Sequence, residues 1–283
     1  LSTGRAEVSA GLAVYALAVD PNREVDALRL YDGHRQGTFA LVAVTPSTAD
    51  GPATAATKPQ PASLLRPAER ADDVSRVRKS ADGSLLLDSG ALHAEFVAGP
   101  SLALRRLTSD YVKGVNTVVE GGALFSVSVG ETAVTSDQAR VTRVSIEGRS
   151  AVVDLDLRPK LPMTAQLAIT AGKPDEMRLD LSLEPAGKAP AAEPVVEMPV
   201  LIGGRAGRDP RDTWVFFPRR GTVISNEPTG ASLPYGGMFP LQVLGFFSPT
   251  GGGLYLRTEY QEVVDRRYCL QHGTDGVSMS VRY

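Results

Sequence analysis

The chain holds one cysteine, Cys269, in 283 residues. That excludes an internal disulfide and any zinc site built on cysteine. Set among Arg267, Tyr268 and Leu270, Cys269 reads as a small packed side chain, because no motif supplies the base a nucleophilic thiol needs. Histidine is nearly as scarce. His34, His93 and His272 lie far apart, with no metal-ligand spacing and no triad order, so each reads as structural or solvated. No metal site and no catalytic residue is assigned. A GxSxG elbow is absent, and Gly203-Gly204-Arg205-Ala206-Gly207 lacks the Lys-Ser/Thr ending of a phosphate loop, so it reads as a plain loop. No cofactor is expected. No apolar run approaches the ~18 residues of a membrane-spanning helix. With 30 Lys+Arg against 32 Asp+Glu the net charge is −2, which removes the electrostatic footprint of a nucleic-acid binder.

What is present is the composition of a packed β protein. Hydrophobic residues make up 42%, charged residues 22% and aromatic residues 6%, with 28 Gly and 20 Pro. Such a chain buries a core and turns often. Residues 13–44 read as three strands with turns at Asp20-Pro21-Asn22 and Asp32-Gly33-His34, too little to cover a sheet face unaided. Residues 46–79 are rich in Pro, Ala and Thr and then charged, and read as a linker with a weak helical possibility near Ala68 to Val77. Alternating strands follow from residue 80. Ser84 to Asp88 and Ala91 to Val97 form one hairpin around Ser89-Gly90, and Val141 to Ile146 with Ala151 to Leu157 form another around Gly148. Ser101 to Leu107, Ala123 to Val129, Pro162 to Thr170 and Met177 to Leu183 continue the series. The predicted fold class is all-β, a large antiparallel β-sandwich with a partial jelly-roll segment ahead of it.

Aromatic residues concentrate after Pro194, in Trp214-Val215-Phe216-Phe217 and Tyr235 to Phe247. An aromatic face stacks on sugar C–H groups while Arg or Asn hydrogen-bonds the hydroxyls. Trp214, Arg219, Arg220, Asn226 and Tyr235 are therefore the candidate carbohydrate-binding residues. Core packing explains Trp214 and Phe216 equally well, since alternation sets them on one strand face with Phe217 opposite. Glycoside chemistry needs two facing carboxylates; Glu227, Glu259, Glu262 and Asp265 qualify by location only, and a charged outer face accounts for Glu259 to Asp265 as well.

Two stretches go beyond generic pattern. Tyr15 to Leu30, with Gly37 to Val44, resembles the last strands of galactose-binding-like jelly rolls. Pro234-Tyr-Gly-Gly-Met-Phe-Pro-Leu-Gln-Val-Leu-Gly-Phe-Phe247, then Gly251-Gly-Gly-Leu-Tyr-Leu-Arg-Thr-Glu259, resembles the galactose mutarotase-like β-supersandwich that precedes the catalytic barrel in some bacterial glycoside hydrolases, endo-α-N-acetylgalactosaminidase and its relatives among them. The resemblance implies three parts: a jelly-roll end over 1–45, a linker over 46–79 and a supersandwich over 80–283. It further implies a carbohydrate partner, a catalytic barrel in cis beyond this chain, secretion or cell-surface exposure, and no catalysis by this chain alone. The chain starts at Leu1 and stops in a strand pattern at Tyr283, so it is expected to be a fragment. Two alternatives stand beside this expectation: a mutarotase-like sugar epimerase or polysaccharide lyase, with a His and a carboxylate converging on a sheet, and a non-enzymatic adhesion protein built of sandwich modules.

Overall fold

The structure is a computed structural model that describes residues 7–11, 75–110, 119, 121–172, 175–187, 192–218, 223–235, 242–248, 252–258 and 266–283. About two thirds of the described residues lie in strands, the rest in turns and loops. The first five are β1 (Glu7–Gly11), β2 (Arg76–Lys79), β3 (Leu85–Ser89), β4 (Leu92–Ala98) and β5 (Leu102–Ser109). They are followed by β6 (Ser126–Val129), β7 (Thr132–Thr135), β8 (Arg140–Glu147), β9 (Ser150–Asp156), β10 (Met163–Ala171) and β11 (Met177–Pro185). After β12 (Val195–Gly204) and a single 3-10 turn come β13 (Trp214–Phe217), β14 (Val223–Ser225) and β15 (Thr229–Pro234). The chain ends with β16 (Val243–Phe247), β17 (Gly253–Thr258), β18 (Arg267–Gly273) and β19 (Gly276–Arg282).

Alternation decides these elements. In β4, Leu92, Ala94, Phe96 and Ala98 are buried while His93, Glu95 and Val97 turn outward; β10 and β11 repeat the pattern. Both hairpins expected from the sequence form, β3 with β4 and β8 with β9. Their turns use Gly90 at φ 60° and Gly148 at φ 57°, a left-handed backbone that other residues adopt at a cost.

All pairings are antiparallel, in three sheets. A nine-stranded sheet runs β14-β13-β16-β17-β1-β11-β10-β9-β8, a six-stranded sheet β15-β18-β19-β12-β6-β7, and a four-stranded sheet β2-β3-β4-β5. The four-stranded sheet lies against β8 to β10, and β19 of the six-stranded sheet lies against β16. One hydrophobic core fills the space between, including Phe96, Phe125, Leu167, Leu181, Phe217 and Phe246. The fold is thus an all-β, sandwich-like assembly of antiparallel sheets, as expected.

Asp175, at φ 69°, ties two of the sheets at their turns. Its Oδ1 accepts from the Ala91 backbone N–H at 2.5 Å, and its own N–H donates to Ser89 O at 2.9 Å. The carboxylate thereby compensates for a strained backbone.

Two local expectations differ from the structure. Arg76 and Val77, placed in a linker or a weak helix, belong to β2, because Val77 is buried and pairs with Leu87. Glu7–Gly11 is a strand between β11 and β17, so part of the segment read as 1–45 completes the nine-stranded sheet. Phe216 and Phe217, on opposite faces of β13, are both buried, as is Val215, so that strand is covered on both faces, with Trp214 half-buried at its start. The jelly-roll strands of 13–44, most of the linker, Arg219, Arg220, Glu259, Glu262 and Asp265 lie outside the described residues.

Candidate functional site

Of the three described sequence-derived candidates, the register that pairs Val215 with Ser225 places Asn226 beside Trp214, and Tyr235 belongs to another sheet edge. Trp214 opens β13 and is half-buried. Across the β13–β14 pair, Asn226 follows Ser225 and spends its side-chain N–H on Arg211 O at 2.9 Å, which fixes the 3-10 turn of Pro210–Asp212. Tyr235 lies at the far end of β15, six strand residues further on, or about 20 Å along an extended chain. There it packs in a polar cluster. The Arg266 guanidinium sits 5.2 Å from its ring centroid, the Tyr268 ring is 6.3 Å away, and its hydroxyl accepts from Gln242 Nε2 at 3.2 Å.

The histidines are dispersed. His272 is buried and its Nδ1 donates to Glu227 O at 3.1 Å, a structural role. His93 lies on the four-stranded sheet with Nδ1 3.0 Å from Asp88 Oδ1 and Nε2 3.5 Å from Asp110 Oδ1. Burial would raise the Asp88 carboxyl, but the His93 hydrogen bond and charge, with Arg78 and Arg76, hold it below its ordinary value. Neither histidine lines a trough. Among the described residues no group of three His, Cys, Asp or Glu is placed to hold a metal ion, and no helix is long and apolar enough to cross a membrane.

An open trough of about 550 Å³ lies on the outer face of the six-stranded sheet. Strict alternation builds it. In β18, Tyr268, Leu270 and His272 enter the core, and Arg267, Cys269 and Gln271 face out. In β19, Val277, Met279 and Val281 enter, while Ser278 and Arg282 face out with Ser280, which is nearly covered. The register sets Cys269 opposite Ser280 and Ser232, and Gln271 opposite Ser278 and Gly230. Beyond β19, Val200 and Glu197 of β12 complete the floor, with Ile202, 50% exposed, at its margin.

The floor therefore sets the hydroxyls of Ser232, Ser278 and Ser280, one amide and one thiol among apolar groups such as Val200 and Ile202, without an aromatic ring. Its single carboxylate is engaged: Ser280 donates to Glu197 Oε1, and Arg282 lies 3.8 Å from Oε2. Cys269 is not a core residue. It is half-exposed, with Sγ 3.2 Å from Ser232 Oγ, because its position shares the outward phase of Arg267 and Gln271. The sequence candidates missed Ser232, Gln271, Ser278 and Ser280, although the polar phase of the two last strands marked three of them.

A second trough, about 410 Å³, lies on the outer face of the nine-stranded sheet and includes Asp154, Asp156, Gln166 and Glu184. Asp156 accepts from the Arg158 Nε at 2.8 Å, from Arg140 Nη2 at 2.6 Å and from the Arg158 backbone N–H at 2.9 Å. These bonds, those of Arg158 first, hold the carboxyl well below its ordinary 3.8. It stays ionised at neutral pH and has no proton to donate as a general acid. A folded pKa below the unfolded one adds stability above the unfolded value, and that stability is lost as pH falls through the folded value. Asp156→Asn is accordingly expected to cost about 1 kcal/mol at pH 7, moderated by solvent around the exposed arginines. The gap to the parent should close as the buffer is taken toward about pH 2. Urea midpoints across that range measure it; parallel curves would disprove the linkage.

No protein-family model matches the chain, and no curated protein or solved structure matches it.

Proposed function

We propose that this chain is the β-sandwich region of a carbohydrate-active enzyme, similar to the supersandwich that accompanies the catalytic barrel in endo-α-N-acetylgalactosaminidase-like glycoside hydrolases, and that it contacts glycan without performing the chemistry. The observation that carries the reading is the trough on the six-stranded sheet. Hydroxyls of Ser232 and Ser278 with the Gln271 amide present donors and acceptors on one rigid surface, which matches the alternating donor and acceptor character of a polyol. Its volume is within the range of small-ligand sites, about 300–1,000 Å³. Glu197 and Asp156, the carboxylates most tightly held in the two troughs, are bound to arginine or serine partners. That suits structural roles more than acid–base work. Gly245, Phe246, Phe247, Gly253 and Tyr255, the five Gly and aromatic residues of the resembling stretch that fall in β16 and β17, belong to the same sandwich.

With no aromatic shelf and much water access, binding is weak, with Kd on the order of 1 mM. Cys269 is the only cysteine in the chain and stands on the trough floor, so it reports occupancy directly. A glycan that fills the trough is expected to slow thiol modification several-fold. Gln271→Ala with Ser278→Ala should abolish that protection while leaving the unfolding midpoint within a degree or two. Titration of the thiol rate against a panel of neutral and acidic glycans makes the test. Failure of every glycan to protect Cys269, or equal protection in the double variant, overturns the reading.

A further inference from the structure

The trough has a charged end. Along β18 and β19 the outward phase continues from Cys269 and Ser280 to Arg267 and Arg282, about 7 Å further along the strands. The register places these two arginines directly opposite each other. Like charges facing across a strand pair repel, and the row does little to relieve them. On one side Arg267 faces Pro234, which carries no charge. On the other, Arg282 faces Glu197, at 3.8 Å, a carboxylate that also accepts from Ser280. Past Glu197 the row continues through Ser126 and Thr135, again uncharged. Arg267 itself donates Nη1 to Ser232 O at 3.1 Å and makes no ion pair among the described residues. Two exposed guanidinium groups thus stand opposite each other beside the trough, and the one carboxylate in the row lies near Arg282 alone.

Resting on the glycan reading above, we propose that Arg267 and Arg282 form an anion subsite at this end of the trough, and that the glycan it takes is acidic, bearing a carboxylate or sulfate group. A guanidinium offers a planar fork of N–H donors that matches either group in bidentate fashion. The cross-strand spacing of about 5 Å lets both forks reach one anionic group or two neighbouring ones. Such an anion cancels the Arg267–Arg282 repulsion, so part of its binding energy comes from relief of an unfavourable pair. The whole chain is slightly acidic, at −2, so the preference is local to this rim and not a general attraction for polyanions.

The test compares a neutral galactan, polygalacturonate and a sulfated galactan by affinity electrophoresis and by Cys269 protection, at about 20 mM and about 200 mM salt, where screening differs. The acidic polymers are expected to bind five- to tenfold more tightly than the neutral one at low salt, and to lose most of that advantage at high salt. Arg267→Gln and Arg282→Gln should each remove the advantage, keep neutral binding, and leave the unfolding midpoint unchanged. Whether the carboxylate or the sulfate polymer gains more identifies the group. Equal binding of neutral and acidic polymers overturns the subsite and leaves the glycan reading standing. Acidic binding that depends on Arg267 but ignores Gln271→Ala with Ser278→Ala upholds the subsite and overturns the polyol trough. Absence of all binding overturns both.

Discussion

Gly253→Ala is expected to lower stability by about 3 kcal/mol, among the largest effects of any single methyl group added to this chain. A Cβ at Gly253 would stand 2.3 Å from Phe246 O and 2.6 Å from Phe247 Cβ. The nearest atom is backbone, held in the ladder that pairs Phe247 with Gly253 and Phe246 with Leu254, so no rotamer change opens the space. β16 and β17 must separate instead. They sit between β13 and β1, so the disturbance passes into the middle of the nine-stranded sheet. For a domain of this size the expected loss corresponds to roughly 6–12 °C in Tm. Gly230→Ala is the control: nothing lies within 4 Å of its added Cβ, and its Tm should match the parent's. Scanning calorimetry of the two variants decides the matter. Equal midpoints would mean that β16 and β17 approach less closely than described.

That glycine also shows what the sequence conveyed and where it stopped. The Gly251 to Leu256 stretch carried the family resemblance, yet the structure gives Gly253 and Gly245 a packing reason: each meets backbone of the neighbouring strand below 3 Å if a Cβ is added. Local signals were legible. The β3–β4 and β8–β9 hairpins need only period-two alternation and one left-handed glycine, both written in contiguous residues. Long-range pairing was not. Ala10 of β1 pairs with both Leu179 and Thr258, and nothing within EVSAG specifies partners so distant. β12 was also missed as a strand, because register shifts between Glu197 and Val200 and between Leu201 and Gly204 break its alternation. The trough is an intermediate case. Its serines and Gln271 follow from the phase of β18 and β19, but only the sheet order puts Ser232 and Glu197 beside them. Reasoning by residue type selected Trp214, Asn226 and Tyr235, whose chemistry suits sugars. In the structure Trp214 pairs with Phe247 of β16, Asn226 donates to a backbone carbonyl and Tyr235 packs on a buried arginine.

Arg266→Ala is expected to cost more than the glycine change, about 3–5 kcal/mol. Arg266 is 2% exposed. Its Nη1 donates to Gln242 Oε1 at 2.9 Å and to Thr258 Oγ1 at 3.2 Å, and its guanidinium covers Tyr235. Thr258 donates its own proton to Gln242 Oε1 at 3.0 Å, so the Tyr268 hydroxyl must be the donor in its bond to Thr258. Burial agrees with a neutral phenol, pushing Tyr268 above its ordinary value and Tyr283 further still. Removing the guanidinium takes a donor from Gln242 and from Thr258 at once, and empties the space against Tyr235. Since Thr258 ends β17 of the nine-stranded sheet and Arg266 precedes β18 of the six-stranded sheet, the loss loosens the place where the chain passes from one sheet to the other. Arg266→Lys keeps the charge but replaces the fork by a point donor and loses the flat contact on Tyr235, so it should recover about half the loss. Arg266→Met keeps volume without donors and should fall between lysine and alanine. Urea unfolding at pH 7 orders the three variants. A loss below 1 kcal/mol for the alanine variant, or no difference between lysine and alanine, would show that packing by the tyrosines holds this junction without the hydrogen-bonded arginine.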